Sequence, residues 1–559
     1  MNTLLKYTYA GAIIAGAFCM VSCDDFLDTN PDNRATIDNE QKIQNLLVGA
    51  YPDHDHIYVA ELVSDNIDDY GESNPETERF CEEAWAWKDE KEQDNESLES
   101  FWQSSLVSIS AANEVLKAIE NMPESSSSTL QEAKGEALMC RAYNYFMLAN
   151  MFCLPYNKAK NDTQLGLPYL TEPETQLNPS YERGNMTDLY NHIQADIEEG
   201  LPLVNGSYYT VPKYHFTKRA AYALATRFYL FTEQWEKAIE AATLCLGDQP
   251  ASMLRNWKAM SQMTQSFDAI SNQYINADEN ANLLLLTSYS AAGLFFGPYR
   301  YNSRYSHGKY LAEKEDIRAT QLWGGYTSFY VTPKAYAATN LDKTVFWKLP
   351  YIFEYTDPVA KIGYYRTVYP TLTTDETLLS RAEAYIMLKQ YDKACEDMTM
   401  WMHSITKSQV VLTPEIVNEF YNKAKYSYSD KDKMESQLKK HLNPAFTIDA
   451  EGSTQENMLQ AVLTFRRTET MHLGLRWFDI KRYGIEIWRR TMQPDAQAGQ
   501  YDAAFKPMRL DDVLTVNDPR RAMQLPQEVI TAGMKANPRA TDKPAEIVLQ
   551  PKAMPVSNQ

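Results

Sequence analysis

Cysteine is scarce in this chain, seven among 559 residues, and follows no pairing pattern. Beyond Cys19 and Cys23, the thiols of Cys81, Cys140, Cys153, Cys245 and Cys395 are odd in number and widely spaced. Three of them sit on the apolar stripe of a helical pattern, so they read as buried free thiols and not as a disulfide framework. No apolar run approaches the roughly 20 residues that a resident membrane helix needs. Positive charge is outnumbered: 54 Lys and Arg face 74 Asp and Glu, a net of −20. That balance argues against nucleic acid or an anionic lipid surface as a partner. Also missing are a Gly-x-Ser-x-Gly elbow, a His-Glu-x-x-His helix and a phosphate-cradling Gly-Lys-Ser/Thr loop. Nothing specific points to an enzyme, to a resident metal or to a cofactor. Carboxylate pairs for glycoside hydrolysis depend on separation in space and stay open.

What is present begins with a short leader. Residues 1–9 carry one cation, Lys6; residues 10–21 are almost wholly small or apolar; Ser22-Cys23-Asp24-Asp25 follows. A charged start, a short apolar core and a small residue before a cysteine describe an export signal whose cysteine is diacylated. More than one acyl chain anchors stably where a single chain is marginal. Cys19, preceded by bulky Phe18, is the poorer candidate. The expected organisation is a lipoprotein signal over 1–22, a lipid-anchored tether over 23–40 and one domain over 41–559. Within the domain we expect an N-terminal helical part (41–249), an aromatic-rich insertion (250–375) and a C-terminal helical part (376–559).

Apolar spacing predicts helices over 41–51, 98–122, 129–152 and 187–203, the last with Thr187 as N-cap. In the third, Ala133, Ala137, Cys140, Arg141, Tyr145, Leu148 and Phe152 form one stripe. Two hairpins then share a spacing: Tyr229, Trp235 and Ala238 in one, Tyr385, Tyr391 and Ala394 in the other. That register is tetratricopeptide-like. Glu233 and Lys389 stand where the glycine between the two helices is usual. The insertion between the hairpins holds 13 tyrosines from Tyr289 to Tyr369, punctuated by Gly and Pro into turns and short strands. Helix returns over 376–406, 415–426 and 455–491, and the tail from Asp518 reads as a surface segment. The fold class is mainly α: a helical-repeat scaffold carrying a long irregular insertion.

Landmarks in one order then resemble the SusD/RagB family of outer-membrane nutrient-binding lipoproteins. They are Cys23-Asp-Asp-Phe-Leu-Asp-Thr-Asn-Pro31, Leu46-Leu-Val-Gly-Ala-Tyr51, Glu61-Leu-Val-Ser-Asp65 and Gly135-Glu-Ala-Leu-Met-Cys-Arg-Ala-Tyr-Asn-Tyr-Phe146. Leu165-Gly-Leu-Pro168, Arg381-Ala-Glu-Ala-Tyr385, Arg466-Arg-Thr-Glu469, Gly474-Leu-Arg-Trp-Phe-Asp-Ile-Lys-Arg482, Leu525-Pro526 and Asn537-Pro538 continue the series. The lipobox departs from the family in having Met20 where Leu is more usual. The resemblance implies a SusD-like fold and a lipoprotein that captures glycans, or in some members peptides. Its implied partner is a SusC-type TonB-dependent transporter, into which the cargo is handed. Asp24 and Asp25 after the lipidated cysteine fit display on the outer face in that family. A glycan-degrading enzyme or a surface adhesin is the alternative of another class.

The block from Arg466 to Arg482, with Glu469, His472, Arg476 and Asp479, looks catalytic at first sight. Its helical spacing places Glu469 with Arg476 and Asp479 with Arg482, so interior ion pairs are expected. Pro52-Asp-His-Asp-His56 lacks a distant third ligand, and Asp65-Asn-Ile-Asp-Asp69 lacks calcium-loop spacing; both read as turns. Ligand contacts are expected from two segments. One holds Asp68, Asp69, Tyr70 and Asn74; the other holds Tyr299, Tyr301, Arg304, Tyr305, Trp323 and Tyr326 among glycines. Aromatic faces pack on sugar C–H groups, while carboxylates, amides and guanidinium groups bond hydroxyls. Trp85 and Trp87 read as core.

Overall fold

A computed structural model describes residues 37–71, 74, 77–123, 125–174, 181–206, 208–300, 303–338, 341–428, 436–489, 491–495, 500–504 and 513–539. The signal, most of the tether and Cys23 lie outside these residues, as does Tyr301.

The first third is helical, as its apolar periodicity requires. α1 (Glu40–Leu47) and α2 (Ile57–Val63) lead to a two-residue strand β1 (Asp68–Asp69) and to α3 (Arg79–Trp85). α4 (Leu98–Glu120) and α5 (Ser128–Phe152) form a long antiparallel pair. Ser97 and Ser127 cap them by accepting from Ser100 N and Leu130 N. α6 (Met186–Gly200) packs on α5, and its N-cap is Asn185, not Thr187. Asn185 accepts from Asp188 N at 2.8 Å, whereas the Thr187 hydroxyl is turned to Asp162.

α7 (Lys218–Phe231) and α8 (Trp235–Leu246) make the first repeat hairpin. Beyond it, single helical turns at Pro250–Met253 and Trp257–Met260 lead to α9 (Phe267–Tyr274). The insertion contains β2 (Asn282–Ser288), α10 (Ala292–Phe296), β3 (Tyr305–Ser306) and α11 (Lys309–Lys314). A hairpin β4 (Lys334–Ala338) and β5 (Leu341–Val345) follows, then β6 (Ile352–Asp357) and β7 (Ile362–Thr373). The sheet order β2-β7-β6 is antiparallel throughout and leaves β6 at the edge.

α12 (Thr374–Met387) grows directly out of β7, with Thr373 as N-cap, and pairs with α13 (Tyr391–Ile405) as the second hairpin. α8 packs against α12, so the two hairpins stack as neighbours although a long insertion separates them in sequence. Ala238 and Ala394 are fully buried at the helix crossings. The predicted 376–406 segment is therefore two helices, broken where Lys389 takes a left-handed φ of 58°. Glu233 does the same between α7 and α8, at 60°.

α14 (Pro414–Lys423), α15 (Thr454–Thr470) and α16 (Leu475–Arg482) complete the scaffold. The predicted 455–491 helix breaks at Gly474, whose φ of 76° suits a residue without Cβ. After β8 (Ile487–Trp488), a small sheet of order β10-β9-β1-β3 adds β9 (Thr491–Asp495) and β10 (Gln500–Ala504). The tail is not a loose surface segment over its described part: Arg521 and Leu525 are buried. Met523 N donates to Met151 O at 2.9 Å, and Asn537 Nδ2 donates to Phe152 O at 2.8 Å. The five described cysteines are buried free thiols.

Candidate functional site

The catalytic-looking block resolves into a buried ion-pair lattice. Arg466 spans Asp479, Glu383 and Glu376, and Arg482 pairs with Glu383 and with Asp479 at 3.0 Å. Arg476 grips Asp65 through two 2.8 Å bonds, and Arg467 holds Glu315 at 2.6 Å. Of the expected pairs, Asp479 with Arg482 forms, whereas Glu469 does not meet Arg476 and instead accepts from Trp401 Nε1 at 2.8 Å. These bonds tie α15 and α16 to α12, to the exit of α2 and to the insertion. His472 lies against Phe296 with ring centroids 4.1 Å apart, and burial drives its pKa well down. In the His54–His56 turn, His56 stacks on Phe478, and burial, then Arg227, lowers it to about 3. No group of three or more His, Cys, Asp or Glu suited to a metal occurs among the described residues.

The two segments expected to bind ligand are brought together by strand pairing. β1 lies antiparallel to β3, with Asp68 opposite Ser306 and Asp69 opposite Tyr305. Asp69 accepts from Arg304 Nε at 2.7 Å, Arg304 also reaches Glu82 at 2.6 Å, and Tyr70 N donates to Arg304 O. Asn74 Nδ2 donates to Tyr70 O at 2.9 Å. This junction is inward-facing, however. Asp68, Asp69, Tyr70 and Asn74 are each 3 % exposed or less, and Tyr305 is buried beside Trp85. Their expected role as ligand contacts gives way to a structural one: these side chains are closed off inside the junction, where Asp69 takes Arg304 and Asn74 holds the Tyr70 carbonyl. Trp323 is corrected likewise: it is 3 % exposed, packed among Phe329, Trp401 and Phe465. Arg304 keeps a partly exposed edge, and Tyr326 is exposed with Arg318 over its ring at 4.8 Å. Trp85 and Trp87 are core, as expected, with Arg489 against both rings.

Tyr299 leads to a surface that the candidate residues otherwise miss. On β6, Phe353 faces Tyr365 of β7 and Tyr355 faces Gly363, so these positions share one face. Tyr351 continues the alternation one step ahead of the strand. Ring centroids run Tyr355–Phe353 4.9 Å, Phe353–Tyr365 5.1 Å, Tyr365–Tyr351 5.9 Å and Tyr351–Tyr299 4.9 Å. Tyr299 continues to Phe267 at 5.7 Å and donates its hydroxyl to Asp268 at 2.6 Å. Tyr299, Tyr351 and Tyr355 are 41, 38 and 54 % exposed. A side chain at Gly363 would run into the Glu354 carbonyl and the Phe353 ring, so glycine keeps the array closed. Burial, then the phenols of Tyr365 and Tyr355, pushes the Tyr351 pKa up, leaving it a neutral donor. On the opposite face, Tyr364 is exposed, and Arg366 pairs with Glu354 at 2.8 Å while covering the Tyr289 ring. The hairpin turn is fastened by Asp357, which accepts from Val359 N and Ala360 N. The alternation Tyr351-x-Phe353-x-Tyr355 was the signal in the sequence for this surface.

A helical-repeat frame presenting an aromatic surface from a loop-rich insertion is the plan of a binding protein. Residues 25–230 match the SusD-like_3 family, described as starch-binding associating with outer membrane. A SusD superfamily protein from Bacteroides thetaiotaomicron VPI-5482 superposes with a TM-score of 0.61 at 17 % identity, covering 90 % of this chain and 100 % of that one. A SusD superfamily protein from Bacteroides vulgatus ATCC 8482 gives 0.60 at 17 % identity, covering 90 % and 99 %. A SusD-like carbohydrate binding protein from the same organism gives 0.60 at 14 % identity, covering 89 % and 97 %. At these identities the likeness to solved structures is one of fold. No curated protein sequence matches the chain. The chain resembles that family in sequence over residues 25–230 and shares the fold of these structures over about 90 % of its length.

Proposed function

We propose that this is a non-enzymatic, outer-membrane lipoprotein, anchored through Cys23 and facing the exterior. It binds oligosaccharides on the Tyr299–Tyr351–Tyr355 surface and delivers them to a SusC-type TonB-dependent transporter. The observation that carries the reading is the exposed aromatic array. Its rings offer apolar faces to sugar C–H groups, and Asp268, which holds the Tyr299 hydroxyl, stands beside them as a hydroxyl partner. The matched family's association with starch and the outer membrane supports both cargo and location. Among the described residues no helix is long and apolar enough to cross a membrane, and acyl chains on Cys23 would suffice as an anchor. The charged block that looked catalytic is locked in interior pairs, which removes that candidate for catalysis.

Titration calorimetry against a polysaccharide panel and a peptide digest tests the cargo. Binding of glycans and not peptides is expected, with no reducing ends released on prolonged incubation; peptide binding alone or release of sugar overturns the reading. Cys23→Ala should shift the protein from the membrane to the soluble fraction with its glycan affinity intact. Co-purification of the wild type with a large β-barrel is expected, and its absence would favour a free-standing adhesin.

A further inference from the structure

Away from the aromatic surface, an open groove of about 610 Å³ lies between the turn after α11 and helix α14. Its apolar floor comes from Leu322, Val410, Ile416, Phe420 and Leu438. Its rim carries Lys314, Lys423 and Lys425 against one acid, Glu419, which pairs with Lys423 at 2.8 Å. Lys314 and Lys425 stand exposed. Gln321, only 3 % exposed, forms part of the wall. Its Nε2 donates to Asp316 O at 3.1 Å, while its Oε1 has no hydrogen-bond partner among the described residues. None of the lining residues belongs to the aromatic surface.

Each feature narrows the ligand. A chain of net charge −20 repels anions in general, so Lys314 and Lys425, the rim ammonium groups that Glu419 does not take, mark the place where an anion is received. A half-buried Phe420 with aliphatic neighbours suits the C–H face of a ring. Carboxylate and ring C–H face on one body, in a chain read as binding glycans, describe a uronic-acid sugar.

We propose that this groove is a second glycan subsite, selective for oligosaccharides that carry uronic acids, with Lys314 and Lys425 pairing their carboxylates. The proposal rests on the reading that the chain binds glycans. The test is calorimetry with pectic, hyaluronan and alginate oligosaccharides of a few residues and with their carboxyl-reduced counterparts. The wild type, a Lys314→Gln/Lys425→Gln variant and a Tyr351→Ala/Tyr355→Ala variant are compared. At least one acidic series should bind more tightly than its reduced counterpart. The lysine variant should weaken that binding about tenfold, as expected for losing charge-assisted bonds. The tyrosine variant should keep the preference for the acidic form. Equal affinity for acidic and reduced forms, or acidic binding that survives the lysine changes, overturns the subsite. Binding of neutral glycans alone also overturns it, yet leaves the glycan reading standing. Failure of every glycan to bind the wild type removes both.

Discussion

Tyr299 and Tyr351 meet with ring centroids 4.9 Å apart and planes at 44°, joining the loop after α10 to the start of the β6 hairpin. That contact makes one surface out of two segments. Tyr351 and Tyr355 are exposed and hold no core position, so alanine there should leave stability nearly unchanged. Each ring should contribute about 0.5–1.5 kcal/mol to glycan binding. Tyr351→Ala and Tyr355→Ala are therefore expected to lower affinity several-fold at constant Tm, read by calorimetry beside thermal unfolding. Unchanged affinity in both would remove the surface as the cargo site.

Trp323 gives the reverse pattern. Its indole packs against Trp401 at 6.0 Å and Phe465 at 5.2 Å, deep between the insertion and the helices. Trp323→Ala should cost about 3–5 kcal/mol of unfolding free energy. Denaturant titration would show it, and glycan affinity of the folded fraction should be retained.

The contrast between these residues shows how far the sequence could be read. Tyr229, Trp235 and Ala238 repeat at the spacing of Tyr385, Tyr391 and Ala394 because a helix hairpin imposes that spacing; the repeats were legible locally. Their stacking across the insertion was not, since nothing local encodes which helix α8 will meet. Trp323 and Tyr326 both sit beside glycines, and one is core while the other is exposed. An aromatic in a turn-rich segment has the same local pattern in either case. Strand pairing unites Asp69 with Arg304 across the two segments, but Asp69, Tyr70 and Tyr305 are buried there by packing that no local pattern encodes.

Glu233 and Lys389 occupy left-handed backbone at φ of 60° and 58°, where a Cβ is strained. Glu233→Gly and Lys389→Gly should each stabilise by roughly 0.5–1 kcal/mol, the backbone relief exceeding the added freedom of the unfolded chain. The side-chain bonds lost, Glu233 to Lys158 and Lys389 to Asp449, are to exposed partners and contribute little. A lower denaturation midpoint in both variants would contradict this account.

Asp65 is the hinge of the ion-pair lattice. Burial alone would raise its pKa, but Arg467 and Arg476 hold it well below the usual carboxylate range. Its stabilising contribution is present above the unfolded pKa and lost as pH falls through the lowered folded value. Asp65→Asn leaves Arg476 buried without its anion and should cost about 3–5 kcal/mol. Asp65→Leu combined with Arg476→Met should recover much of that loss. Equal destabilisation in the single and double variants would argue that the pair acts through packing alone.

Glu96 carries the opposite sign. Its carboxyl accepts from Ser290 Oγ and Ala291 N, inside a region where Asp55 is also buried. Burial first, then the Asp55 charge, pushes Glu96 up to about 8; burial raises Asp55 as well. From about pH 4.3, the ordinary glutamate value, up to the raised one, the native state holds a proton that the unfolded chain has released. Stability must then fall as pH rises through that window. Glu96→Gln removes this uptake while keeping an acceptor for Ser290 or Ala291. The variant should gain on the wild type between pH 5 and pH 8 by up to ~1.4 kcal/mol for each pH unit in which the proton is held. Lys481, lowered to about 7, and Lys348, lowered to about 8, titrate in the same region, but they are common to both proteins and cancel in the difference. Urea unfolding of the two proteins across this range measures the gain directly; parallel curves would mean that Glu96 is ionised in the native state.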